Sequence, residues 1–427
     1  MTDLHRLSAS EIVRQVQAGK ITAEAVVAAH IERIAQREPE VQAWAHFDAE
    51  AALAQARAVD KRGAGGLLLA GAPVGVKDVI DTADMPTQYN SAIYRGFRPK
   101  ADASCVALVK RAGGIILGKT VTTEFASRMP GPTRNPHNLA HTPGGSSSGS
   151  GAAVADFMTP LGFGTQTGGS TIRPAAYCGV VGYKPSYGTI NGAGMKHLAE
   201  SLDTIGVMAR SVEDCALLVH ALTSRPLPNF SAKLERAPRI AFCRTSRWDK
   251  ASAATQALLE QAAATFANCG ADVRDLTLPE DFDRLYDTQR LIADFEAARA
   301  LAWEYDNHPQ LLSEHMRTTL PKSMLIARED YAEAMQHARS SRARFADAFA
   351  GFDVLLTPSA PDEAPPGIER TGDSLFNRNW TLLGLPCVTI PGGCGPKGLP
   401  LGVQLVGAYD DDARVLQCAA WAASALR

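Results

Sequence analysis

Apolar positions near the start of the chain recur at helical spacing. Ile12, Val13 and Val16 share one face, and Ser8 precedes Glu11 by three, a capping box opening a short helix closed at Gly19. Thr22 begins a second helix with Val26, Val27, His30, Ile31 and Ile34 on its apolar side, so His30 reads as packed rather than ligating. An alanine-rich third run covers about 49–60, and RGAGG is a loop. The pattern then changes. In GLLLAGAPVGVKDVIDT, apolar runs broken by Gly71, Pro73 and Gly75 predict a strand, a turn and a second strand carrying Lys77. Residues 102–111 read as a helix and IILGK as the strand after it, an αβ unit.

The following stretch to residue 142 is rich in loops, and Glu124 is placed to tie them together. Ala152–Met158 reads as a helix and LGFGTQTGG as a strand entering a tight turn. Ser211 and Asp214 cap a helix through Leu222, and the prolines of TSRPLPNF mark a break. From RIAFCR the αβ pattern resumes, with helix at about 250–268 and ADVRDLTLP as strand. Residues 285–350 are mostly helical; FDVLLTPSA, LPCVTIPGG and LPLGVQLVG are strands. A last helix follows Asp410, Asp411 and Asp412, whose charges suit its N-terminus.

A chain of 427 residues with 45% hydrophobic content can bury a large core. Its formal charge of -2 supplies no basic field for nucleic acid or an acidic membrane. No apolar run approaches a membrane span, and MTDLHRLSASEIVRQ is too polar for a signal peptide, so cytoplasm is the expected location. The eight cysteines are scattered and form no C-x-x-C, the usage of small core thiols. His137 and His141 stand four apart in a Pro/Gly-rich loop without a third ligand at diagnostic spacing, a poor metal site.

The chemistry gathers between Pro143 and Pro174, where five serines and eight glycines crowd toward the two ends of the stretch. Ordering that much glycine needs a reason: close backbone approach, or N–H groups turned to a ligand. A phosphate loop is excluded because no lysine occurs between Lys119 and Lys184. An oxyanion site beside a serine nucleophile fits better, since each glycine cluster hands over to a serine. Ser170 ends T-G-G-S and so sits at the end of the tight turn, the place for the nucleophile. The N–H groups of Thr167, Gly168, Gly169 and Ser170 are the oxyanion-hole candidates. A histidine-centred triad lacks a G-x-S-x-G elbow, and a flexible linker would not explain so many ordered motifs.

GGSSSGSGAAVA followed by GTQTGGSTIRPAAYCGVVGYKPS resembles the signature of the amidase signature family, the Ser–cis-Ser–Lys amidohydrolases. GAPVGVKD is similar to the family's lysine motif, GKTVTTEF and GPTRNP to intervening segments, and GLPCVTIPGG and GLPLGVQLVG to C-terminal core strands. The likeness covers roughly residues 5–225 and 376–427.

The resemblance implies one α/β domain over 1–427, with a mixed central sheet covered by helices on both sides. Residues 65–225 would carry the catalytic core, 240–375 the substrate selectivity, and 376–427 the closing strands and last helix. It implies that Lys77 is a base, kept neutral by desolvation, and that Ser146, 24 residues before Ser170, passes the proton between them. Asp78 would be structural, since a carboxylate touching Lys77 would hold it charged. Met129 and Ser147 are expected at the substrate cleft. The implied activity is hydrolysis of a carboxamide to a carboxylate plus ammonia or amine, with no metal or organic cofactor. The expected partner is a small-molecule amide, with no nucleic acid or membrane, and a homodimer is an admissible assembly. The alternatives are an amidotransferase A-type subunit using glutamine with partner subunits, disfavoured by modest length and the missing basic patch, and a silent scaffold, which would be expected to have lost a catalytic residue. Three positions depart from the family: Gln166 where an acid is usual, Ile172 where an arginine is usual with Arg173 one place later, and Ser148 where a glycine is usual.

Overall fold

Eleven strands form one mixed sheet in the computed structural model, which describes residues 3–232 and 234–427. They are β1 (Trp44–Phe47), β2 (Pro73–Lys77), β3 (Ile115–Thr120), β4 (Leu161–Gln166), β5 (Val181–Lys184), β6 (Thr204–Ala209), β7 (Arg239–Phe242), β8 (Asp272–Asp275), β9 (Val354–Pro358), β10 (Cys387–Cys394) and β11 (Pro400–Val406). Their order is β1-β3-β2-β4-β6-β5-β10-β11-β9-β7-β8. The C-terminal strands therefore close nothing at an edge: β10 and β11 lie between β5 and β9 and join the two halves of the sheet.

In the first half, β2 runs parallel to both β3 and β4. A strand covered on both faces is apolar without alternation, and every residue of β2 is buried, Lys77 included. The carboxyl ends of β2 and β4 lie side by side, the usual place for a site in a sheet of this kind. Helices lie on both faces, with buried apolar clusters around Val74, Phe163, Val207 and Val403, around Ile172, Leu355 and Trp380, and around Trp44, Leu117 and Met158.

The capping signals act as read. Ser8 and Glu11 form the reciprocal capping box of helix Ala9–Gln17; Thr22 caps Ala23–Val41 and Ser211 caps Val212–Thr223. His30 is fully buried with Nδ1 against the Phe157 carbonyl at 3.2 Å, and burial lowers its pKa to about 3. Elsewhere backbone packing overrode pattern. GLLLAGAP gives turns rather than a first strand: Ala72 N–H bonds the Leu69 carbonyl and Gly71 turns at φ +71°. The helix read at 152–158 spans Ser148–Ala155, because Gly149 and Gly151 let its first turn press against backbone at Ala43, Val121 and Pro174. The helix read from Asp102 starts at Ser104; Asp102 instead accepts from Ala83 N–H and Lys110. A short helix, Ile172–Tyr177, follows the second glycine cluster and had no periodicity to announce it.

Candidate active site

Lys77 ends β2 with no exposed surface. Its Nζ lies 2.7 Å from Ser146 Oγ and 2.7 Å from Thr165 Oγ1, with the Thr165 carbonyl at 3.5 Å. Burial pulls its pKa from 10.5 down to about 7; the field of Asp203 opposes this and that of Arg173 assists it. Asp78, next in sequence, turns away and pairs with buried Lys119 at 3.0 Å, so the neighbouring carboxylate does not hold Lys77 charged. Lys77 is thus an amine on the point of titration at neutral pH.

Ser146 follows a cis peptide bond from Gly145, and its carbonyl accepts from Thr123 N–H at 3.2 Å. Ser147 donates its N–H to the Ser170 carbonyl at 3.3 Å, which ties the two serine segments together across the site. Gly164 in β4 is required here, since a Cβ would approach Ser147 Oγ to 2.9 Å. Ser170 is partly exposed and ends the Thr167–Ser170 turn between β4 and the helix Ile172–Tyr177.

The turn is held from behind by its carbonyls. Gln289 donates to the Thr167 carbonyl at 2.8 Å, Thr381 to that of Gly168 at 2.7 Å, and Arg173 N–H to that of Gly169 at 2.9 Å. Among the described residues, the N–H groups of Thr167, Gly168, Gly169 and Ser170 meet no acceptor in the protein. Gly169 admits no side chain: a Cβ would run into Asn377 Oδ1 and lie 2.7 Å from Ser374 Cβ. Thr167 Oγ1 bonds Asp203, whose other oxygen takes the N–H groups of Leu198 and Ala199.

The departures from the family pattern have visible replacements. Gln166 accepts the Thr171 and Ile172 N–H groups on its amide oxygen at 2.9 and 3.0 Å and donates to Thr381 Oγ1 at 3.0 Å, a neutral brace across the turn. Ile172 is buried apolar packing. The buried Arg173 donates Nη2 to the Gly145 carbonyl at 2.6 Å and to Thr371 Oγ1 at 3.3 Å. Ser148 Oγ donates back to the Gly144 carbonyl at 2.9 Å.

Of the cleft residues expected from sequence, Met129 is exposed beside the site's loops, its carbonyl bonded to Glu124 N–H at 2.9 Å. Ser147 is a correction. It is wholly buried, with Oγ bonded to the N–H and carbonyl of Thr165 at 3.2 and 3.4 Å, and so braces β4 instead of lining the cleft. Glu124 does tie loops, accepting from Ser313 N–H at 3.0 Å. His137 is spent on the Cys178 carbonyl at 2.8 Å. Six of the eight cysteines are buried and all are free thiols. Sequence reasoning missed Thr165, Asp203, Gln289, Ser374 and Thr381. Thr165 lies one residue from the end of the predicted strand LGFGTQ and could have been found; the others come from distant segments without local signal.

The carboxyl ends of β2 and β4 in this mixed α/β sheet thus carry a buried lysine, a serine bonded to it and a glycine turn ending in a second serine. A model of the Amidase family matches residues 25–416, and the chain belongs to that family. It is 35% identical to the A-type subunit of the glutamyl-tRNA(Gln) amidotransferase of Acidothermus cellulolyticus, covering 100% of this chain and 96% of the relative. It is 34% identical to the same subunit from Rhodopirellula baltica, covering 96% and 94%. Among solved structures, peptide amidase from Stenotrophomonas maltophilia superposes with a TM-score of 0.86 at 28% identity, covering 98% and 96% of the two chains. The substrate complex of a 6-aminohexanoate cyclic dimer hydrolase gives 0.87 at 26%, covering 100% and 98%. A structure from a vestigial protein complex bearing on the origins of an s-triazine catabolic enzyme gives 0.87 at 28%, covering 98% of each. The fold and these matches make the chain an enzyme of the amidase-signature hydrolases. No helix among the described residues is long and apolar enough to cross a membrane.

Proposed function

We propose that this chain hydrolyses a carboxamide to a carboxylate plus ammonia or amine through an acyl-enzyme on Ser170. Neutral Lys77 draws the Ser146 proton as Ser146 takes that of Ser170, and Ser170 Oγ attacks the amide carbon. The N–H groups of the turn Thr167, Gly168, Gly169 and Ser170 receive the oxyanion, and Lys77 returns its proton through Ser146 to the leaving nitrogen. Water then cleaves the acyl-enzyme by the same relay. The observation carrying this reading is the 2.7 Å contact of Ser146 with a lysine that burial brings to a pKa of about 7.

Two settings suit this chemistry. The curated relatives favour an amidotransferase A-type subunit hydrolysing glutamine, and this reverses the order expected from sequence. Modest length no longer counts against it, since the chain spans 96% of such a protein, and a partner can supply the basic surface. Hydrolysis by the chain alone is the second reading. It is supported by the fit to peptide amidase and to the cyclic dimer hydrolase. It is also supported by an alignment of 484 positions against a chain of 427 residues, so the amidotransferase relative carries segments with no counterpart here.

The test is ammonia or amine release by the purified chain from glutamine, primary amides, anilides and dipeptide amides. Ser170→Ala serves as the blank. Release lost in Ser170→Ala supports the proposal, and release from glutamine only with partner subunits added assigns the first setting. Release unchanged in Ser170→Ala overturns it.

A further inference from the structure

The turn that ends in Ser170 has a cation at its side whose outer nitrogens make, among the described residues, one long ion pair and no hydrogen bond. Arg378 opens the short helix Arg378–Leu382, and its Cγ lies 3.7 Å from where a Cβ on Gly168 would stand. Its Nε donates to Ser374 Oγ at 3.0 Å, and that oxygen lies 3.3 Å from the same Gly168 position. The guanidinium rests over the Tyr286 ring at 4.5 Å. These contacts fix the plane of the group and engage only Nε. Its sole carboxylate neighbour among the described residues is Asp373, at 3.9 Å and more than half exposed, a pair weakened by water.

Two further arginines stand near, with Asp373 the acid among them. Arg128 and Arg378 both lie close enough to Arg173 for their fields to act on its guanidinium. Asp203, whose field acts on Lys77, is already engaged by Thr167, Leu198, Ala199 and His197. A fixed, planar, largely buried fork whose Nη groups meet no acceptor among the described residues beyond the long Asp373 pair suits a carboxylate bound through two parallel hydrogen bonds.

Resting on the hydrolase reading above, we infer that the substrate amide itself carries a carboxylate and that Arg378 is the residue that selects it. The class includes dicarboxylic monoamides and amides of amino acids with a free carboxyl. Simple alkyl amides fall outside it.

The test uses two matched pairs with the purified chain: glutaramate against pentanamide, and N-acetylglycine against N-methylacetamide. In at least one pair the wild type should favour the anionic member in kcat/KM by about 10- to 100-fold, the worth of a charge-assisted hydrogen bond to a sheltered group. Arg378→Gln should bring that ratio to about one, chiefly through KM, and Arg378→Lys should restore part of it. A merely structural arginine would change both members of a pair alike. Calorimetric titration with glutarate provides a readout without turnover: the wild type binds, and Arg378→Gln binds at least tenfold more weakly. No preference in either pair together with no glutarate binding overturns the inference, as does a preference that survives Arg378→Gln. If no amide is hydrolysed, glutamine with partner subunits included, while glutarate binds in an Arg378-dependent way, the hydrolase reading fails and the carboxylate site stands.

Discussion

Replacing Lys77 by Met should remove a pH dependence of stability whose size follows from the burial of one amine. Lys77 titrates at 10.5 when exposed in the unfolded chain and at about 7 in the folded protein. Below pH 7 both states hold the proton, and the folded state bears the whole cost of burying the ammonium. Between the two values the unfolded chain holds a proton that the folded one has lost, so rising pH favours folding. The slope is about 1.36 kcal/mol per pH unit, or about 5 kcal/mol across the whole interval. Met has a similar length and no charge. Its variant leaves Ser146 and Thr165 without Nζ, a fixed loss nearly independent of pH. Every other titrating group is common to both proteins and cancels in the difference. Urea unfolding of both proteins at pH 7.5 and 9.5 should therefore show the wild type gaining about 2.5 kcal/mol on the variant. Parallel pH dependences would refute the reasoning, because Lys77 would then titrate as an ordinary exposed lysine.

In the proposed relay the same amine sets the rate. With a substrate that does not titrate, kcat/KM should rise with pH through an inflection near 7 and then level, as neutral Lys77 becomes available. Thr165→Val removes an acceptor that favours the ammonium over the amine, so the inflection should fall by about 1 unit, a difference of about 1 kcal/mol between charged and neutral donors; an unchanged profile would show that Thr165 does not tune the Lys77 amine. Gly169→Ala forces the turn away from Asn377 and Ser374, and should lower kcat by about 10²–10³ through the lost oxyanion donor, with melting showing a retained fold. Normal kcat in that variant would exclude the turn as the oxyanion site.

Much of this was legible in the sequence because local rules and global packing agree there. Ser8–Glu11, Thr22 and Ser211 cap helices since a hydroxyl three residues ahead of a free N–H is a local geometry that distant packing does not alter. Lys77 and Ser146 meet as their motifs imply, and the second strand predicted in GLLLAGAPVGVKDVIDT, the one carrying Lys77, is β2. What failed was decided by distant contacts. Ser147 sits beside the relay in sequence, but its hydroxyl is consumed by β4. The helix at Ser148 begins inside a serine–glycine cluster of poor helix propensity, because only glycine lets that turn touch the backbone of Ala43 and Val121. Asp412 reads as a charge at a helix start, yet it also accepts from Tyr183 and from Ser186 N–H. Arg378, Gln289 and Thr381 reach the turn from segments more than a hundred residues away, and no spacing rule links them.

The most direct test of the relay is covalent. The protein would be exposed to an aryl fluorophosphonate at pH 7.5, the adduct located by peptide mass spectrometry, and its rate compared with those of Ser146→Ala and Lys77→Met. The adduct should fall on Ser170 and form at least about 10²-fold more slowly in both variants, the scale of general-base assistance. Labelling at another residue, or labelling of Ser170 at the wild-type rate without Lys77, would contradict the account.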